Sequence, residues 1–244
     1  MKVDRLAQDV AITPELLATN FTKTAFGEEF VFVDGQITPA DPTQPGSLRK
    51  WTGPIRYSVM DSANDDDRAH IAALADRLLL RTGLSILPAE DGQPNMFVRI
   101  LSKSDRARIR QAYLAASERS PLAELFLAWS ATRDWECAAE IYLSDASDAS
   151  QSQIILAMIY IRDEVKGLPR QACIEEEISQ SLGLVRDDPT VRPSIFNDDE
   201  EFALLTRHDE LLLQILYDPS LKAGMTKAAA KPIVQRLAHA VIEP

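Results

Sequence analysis

Residues 175–188, EEEISQSLGLVRDD, hold the side chains of this sequence best spaced to do chemistry at one point. Glu176 and Gln180 are four apart, so a helix would project both from one face. Two donors at that spacing can share a metal ion, and a glutamate beside the first, here Glu177, can act as general base toward a metal-bound water. Gly183 permits a sharp turn that would bring residue 186 back to the same point. The residue types oppose a metal. Arg186 is a permanent cation with no lone pair to give, and Gln180 is a weak neutral donor. Glu176 beside such partners makes a poor zinc site. No cofactor is therefore expected, and the alternative is a hard divalent cation at Glu176. We read a substitution of charge: the Arg186 guanidinium would stand where the ion belongs and pair with Glu176 or Glu177 as a fork on a carboxylate. A metal-free reaction using Glu176 and Glu177 together is disfavoured, because adjacent helical residues diverge by about 100°.

A plainer reading of the segment is an amphipathic helix with Ile174 and Ile178 inside, glutamates outside and Gly183 as C-cap. Other candidates are weaker. His70, His208 and His239 are scattered, none near the helix in sequence, and His208 reads as a surface residue. The acidic runs 198–201 and 144–150 read as solvated loops, with a calcium site as their alternative. Trp51, Trp129 and Trp135 read as core or interface anchors.

The elements that would position these residues follow from hydrophobic periodicity. Residues 14–21 suggest a short helix, residues 28–35 a strand ending at Gly35, and 38–47 a Pro-rich linker. Ile55, Tyr57 and Val59 alternate as in a half-buried strand. A helix follows with acidic residues at its start, Ile71, Leu74, Leu78 and Leu79 toward the core, and Gly83 as C-cap. Residues 95–101 form a second strand. Residues 103–131 read as two helices split at Pro121. Residues 137–145 and 153–163 form two more strands, the last a continuous apolar run suited to a sheet interior. Helices near 170–182, after Thr206, and over 226–242 with a bend at Pro232 complete the order β-α-β-αα-β-β-α-α-α. This predicts an α+β fold, a mixed twisted sheet backed by helices. The expected organisation is an N-terminal extension over 1–47, a domain over 48–218 with a helical insertion near 103–131, and a C-terminal helical segment over 219–244 packed on it.

The 244 residues carry 37 acidic and 26 basic side chains, a formal net charge of −11. Such a surface repels nucleic acid and anionic membrane, so neither is expected as a partner. No run is long and apolar enough to span a bilayer. The opening MKVDRLAQDVAITPELL lacks the apolar stretch of a signal peptide, which leaves a cytoplasmic protein or a processed exported one. Cys137 and Cys173 would be buried thiols in the first case and could pair in the second.

The template H-E-x-x-H-x-x-G-x-x-H of metzincin-type zinc peptidases, laid with Gly183 at its glycine, places ligands at Glu176, Gln180 and Arg186 and the general base at Glu177. All three ligand histidines are replaced. Downstream, SIFND and LLTRHDELLLQILYDP resemble the Met-turn and final helix of matrixin-type members, with Phe196 where the methionine stands. Upstream, LRKWTGPIRYSV, TGLSI and MFVRI resemble the first half of such a domain. The ordered run CIEEEISQSLGLVRDDP…SIFND…LLQILYDP…GM further resembles a proteobacterial family of exported and lipoprotein-like proteins, the domain of unknown function two-nine-two-seven. That resemblance implies periplasmic or exported localisation and favours a Cys137–Cys173 disulfide. It also implies a zincin-like frame without its zinc chemistry, with Glu177 a relic base and a protein or peptide partner bound along an edge strand. The competing readings are an active hydrolase using Glu176, Gln180 and Asp187 on a cation with Glu177 as base, and a purely structural cytoplasmic protein.

Overall fold

The strand Ile154–Arg162 shows how the sheet is built, because its apolar run is covered on both faces. Ile159 and Ile161 join the main core, while Met158 and Tyr160 point to a second, smaller cluster. In the computed structural model, residues 10–27, 30–33, 36–41, 46–90, 92–116, 123–144, 152–197 and 201–242 are described. Among them the chain runs α1 (Pro14–Thr24), β1 (Phe30–Val33), β2 (Gln36–Pro39), β3 (Ile55–Asp61), α2 (Asp65–Thr82), β4 (Ile86–Pro88), β5 (Met96–Leu101), α3 (Lys103–Ala115) and α4 (Glu124–Ala131). It continues with β6 (Cys137–Leu143), β7 (Ile154–Arg162), α5 (Leu168–Ser181), α6 (Arg207–Leu216) and α7 (Lys227–Ile242).

Five strands form one sheet in the order β4-β3-β5-β7-β6. Neighbours pair in parallel except β6, which runs antiparallel to β7 at the edge. β1 and β2 make a separate antiparallel hairpin. The protein is thus a mixed α+β fold with a mostly parallel sheet. Buried side chains of α2, α5 and α6 share one core with the sheet, and α4 with its neighbour α3 covers the opposite face around Phe126, Trp129 and Tyr160.

Local chemistry fixes the helix ends. Asn64 and Asp67 exchange side-chain and backbone hydrogen bonds at the start of α2, and Gly83 closes it in the left-handed conformation. Thr206 and Asp209 make the same capping box on α6.

Several expectations change. Leu79 is 40% exposed, while Ile71, Leu74 and Leu78 are buried. β2 lies partly in the stretch read as linker, and β4 was hidden in the helix exit; each is too short to show a period. α7 runs through Pro232 as one element. The N-terminal helix is more than an appendage: Leu17, Phe21, Ala25 and Phe26 belong to the main core, as do Ala230, Val234 and Leu237 of α7. Gly35, where a strand was expected to end, and Pro121, where two helices were expected to split, lie outside the described residues, as do residues 145–150 and 198–200 of the two acidic runs. No described helix is long and apolar enough to cross a membrane.

Candidate functional site

α5 is fixed from three directions. Near its start, the buried Arg170 donates to the Val165 carbonyl at 2.8 Å, to Asp67 of α2 at 2.9 Å and to the Asp163 carbonyl at 2.8 Å. On its inner side, Glu175 accepts from Arg77 at 2.9 Å and from the Leu205 amide at 2.8 Å, and His70 Nε2 lies 3.1 Å from its other oxygen. At its end, Trp51 Nε1 donates to the Ser181 carbonyl at 2.9 Å and the Tyr217 hydroxyl to that of Leu182 at 2.8 Å. These donors satisfy carbonyls that a helix terminus leaves without intrahelical partners. Trp51 is thereby an anchor, as expected.

Gly183 follows at φ +116°, and a Cβ there would fall 2.2 Å from the Arg49 carbonyl oxygen. Both the backbone angle and the close approach require glycine. The chain then folds back, and Asp187 accepts from Gln180 Nε2 at 2.9 Å. Asp187, one position later than the template implies, is the residue that returns to the helix. Arg186, the residue before it, lies near Gly27 instead. Its Cδ lies 3.8 Å from where a Cβ on Gly27 would be. No ion pair among the described residues joins Arg186 to Glu176 or Glu177, which corrects the expected charge substitution. Arg186 acts instead on Asp188: burial pushes that carboxyl up, but Thr190, Lys23 and Arg186 together bring it below its ordinary value.

The Ser194–Phe196 stretch packs beneath this turn. Ser194 Oγ donates to Asp209 at 2.5 Å, the Ile195 amide to the same carboxylate at 3.1 Å, and the Asp188 amide to the Phe196 carbonyl at 3.1 Å. Phe196 is fully buried in the main core. His208, expected at the surface, is fully buried as well. Its Nε2 lies 3.0 Å from Asn20 Nδ2 and its Nδ1 3.4 Å from Asp209. The α6 helix is packed by α1, α2 and α7, so even its polar residues are enclosed. Ser194, Asp209 and His208 have the letters of a hydrolase triad, but the carboxylate sits between the other two and the whole set is buried. A triad needs the histidine between nucleophile and carboxylate.

The outer face of α5 forms one wall of a groove of about 500 Å³. Glu176, Glu177 and Gln180 line it, with Asp187 beside them. β6 forms the other wall through Cys137, Ala138 and Ala139. The disulfide Cys137–Cys173, with Cα atoms 5.8 Å apart, joins the two walls. At one end the Trp135 and Phe30 rings meet at 5.2 Å between centroids. Asp134 and Glu136 also line the groove, and sequence reading missed both; their only signal was alternation with Trp135 leading into a strand. Glutamates on α5 are less outward than expected: Glu175 is fully buried and Glu177 is 6% exposed. His239 lies far along the chain in a groove between α1 and α7.

Zinc does not fit this donor set. The template's three ligand positions hold a carboxylate, an amide bonded to Asp187 and a guanidinium, which has no lone pair to give. Among the described residues, no three of His, Cys, Asp and Glu stand close enough to share an ion.

These features define a mixed α+β domain with a carboxylate-lined groove at a sheet edge. The model of the family described as protein of unknown function DUF2927 matches residues 14–236, and the chain belongs to that family. The match begins with α1 and ends within α7, so the family's unit takes in α1 and the first part of α7. No curated protein and no solved structure matches the chain.

Proposed function

We propose that the chain is a non-catalytic binding module, a zincin-like frame whose ligand positions no longer serve zinc, and that it takes an extended protein segment along β6. The groove between β6 and α5 carries this reading. Among the described residues no strand pairs with the outer side of β6. An edge strand is normally guarded by lysine, proline or a covering element. β6 reads CAAEIYL, with Glu140 as its one charge, and so offers main-chain groups for an added strand. The frame supports the reading further: the antiparallel strand lies at the sheet edge beside α5, Gly183 turns the chain under the helix end, and Phe196 stands beneath it.

We place the protein in the bacterial envelope. The Cys137–Cys173 disulfide suits an oxidising compartment, and the exported proteins that the family resemblance suggests belong in one. Thiol titration of denatured protein taken from the periplasm should find no free thiol; two would remove the assignment.

The test of function combines metal and peptide measurements. Protein dialysed against zinc, calcium or manganese should retain no stoichiometric metal and cleave no member of a diverse peptide library, while binding some members. Metal that is retained, lost in Glu176→Ala and coupled to cleavage would establish instead a hydrolase with Glu177 as base.

A further inference from the structure

We infer that the Cys137–Cys173 disulfide is an exchange site: a thiolate entering the groove between β6 and α5 attacks Cys137, and the bond opens and closes within the folded chain. Such exchange needs the groove itself and not a strand laid along it. Both cysteines line the groove, whose volume of about 500 Å³ admits a thiol side chain. The two residues are housed differently. Cys173 is 4% exposed and belongs to the main core, whereas Cys137 is only partly buried against it. Exchange requires a thiolate to reach one sulfur, and access selects which. Access here favours Cys137, with Cys173 as the leaving group.

In a small domain with little core, cutting a disulfide often abolishes folding. Here the bond joins two elements that are each fastened without it. β6 pairs with β7 from Cys137 opposite Ile161 to Leu143 opposite Ile154. α5 is held on its inner side by Glu175 with Arg77, and at its end by Trp51 and Tyr217. After reduction both thiols therefore stay near their places, and the bond can form again. What changes is the tie across the groove, so the redox state sets how firmly its two walls are held together. The reductant is a dithiol. Its first thiolate bonds to Cys137 Sγ as the Cys137–Cys173 bond breaks, and Cys173 leaves as a thiolate that takes up a proton. The donor's second thiolate attacks the donor sulfur of this mixed disulfide and releases Cys137. The donor loses two electrons and becomes a disulfide, and the protein gains two and holds two thiols.

The experiment uses the intact chain without denaturant. Mercaptoethanol is added, N-ethylmaleimide stops the reaction, and mass spectrometry maps the adducts. The mixed disulfide should stand on Cys137, with maleimide on Cys173, at least about tenfold more often than the reverse. Adducts shared equally, or favouring Cys173, would overturn the inference. Reduction by dithiothreitol should run at least about a hundredfold faster than global unfolding and change little in dilute urea. A rate equal to that of unfolding would make the bond purely structural and overturn the inference as well. The reduced chain should keep its circular-dichroism spectrum and regain the same disulfide with oxidised glutathione; loss of the spectrum on reduction would overturn the switch. Ala172→Phe, which crowds the groove beside Cys173, should slow reduction about tenfold. An unchanged rate in that folded variant would overturn entry through the groove; if the variant loses the native spectrum, the adduct ratio of the wild type decides. None of these readings uses a peptide, so the strand-adding site stands or falls separately.

Discussion

Glu175 and Glu176 are neighbours on α5 and carry the same carboxylate, yet the helix gives them opposite surroundings. Glu175 has a side chain only 1% exposed and is held by Arg77, His70 and the Leu205 amide. Arg77 Nε also lies 3.1 Å from Glu210, which accepts from Arg81, so the charges of α2, α5 and α6 form one network. Glu176 turns about 100° further round the helix and lines the groove beside Gln180 and Cys173. One side of α5 is fastened by ions and apolar packing. The other carries the covalent bond to β6 and borders the groove. The difference separates a carboxylate enclosed in the core from one at the wall of a groove.

The largest expected effect breaks the covalent side. The disulfide closes a loop with a sequence separation of 36, and its loss should cost about 4 kcal/mol in the chain-entropy model. Urea denaturation with and without reductant measures it. If the two sides of α5 are fastened as described, amide exchange after reduction should rise first in β6, while the inner face of α5 stays protected. Equal loss on both sides would erase the distinction.

The ionic side comes next. Glu175→Ala leaves Arg77 and the Leu205 amide without their buried acceptor, at a cost of about 3 kcal/mol by denaturant midpoint. Arg77 is 28% exposed and water recovers part of its loss, so the effect should fall below that of the disulfide.

A third carboxylate sharpens the contrast because it is housed neither way. Glu140 of β6 accepts from the Tyr142 hydroxyl. Burial lifts its pKa to about 7, the Tyr142 hydrogen bond opposes that rise, and Glu124 adds to it. The folded chain therefore holds a proton that the unfolded chain releases near pH 4.5. Its contribution to stability is full below that pH and is lost as pH rises through about 7. Between about pH 5 and pH 8 the wild type should lose on the order of 2 kcal/mol more than Glu140→Gln does. Parallel pH profiles for the two proteins would refute this.

These fates were only partly legible in the sequence. β3, β5, β6 and β7 showed in their apolar alternation or runs, and α2 and α6 in capping residues that act within a single turn. β4 and β2, three and four residues long, had no room for a period. In α5 the spacing of Glu176, Gln180 and Gly183 was readable and the groove face follows from it. Whether a glutamate is buried depends on what α2 and α6 bring to it, and Arg77, Glu210 and His70 lie far off in sequence. The error over Arg186 was one of phase. Past Gly183 the chain is irregular, with no period to fix which side chain returns, and Asp187 rather than Arg186 meets Gln180. His208 misled for a related reason: a polar residue on a helix reads as exposed until the helix is known to be packed by α1, α2 and α7.

The smallest expected change in stability tests the comparison most directly. Glu176→Gln keeps the size and shape of the side chain and removes only its charge. On the groove side, half-buried at the edge of open space, that change should alter stability by no more than about 0.5 kcal/mol. A stability loss approaching that of Glu175→Ala would make Glu176 another fastening of the helix and erase the contrast between the two sides of α5. Unchanged stability would separate the two glutamates by role as clearly as the helix separates them in space.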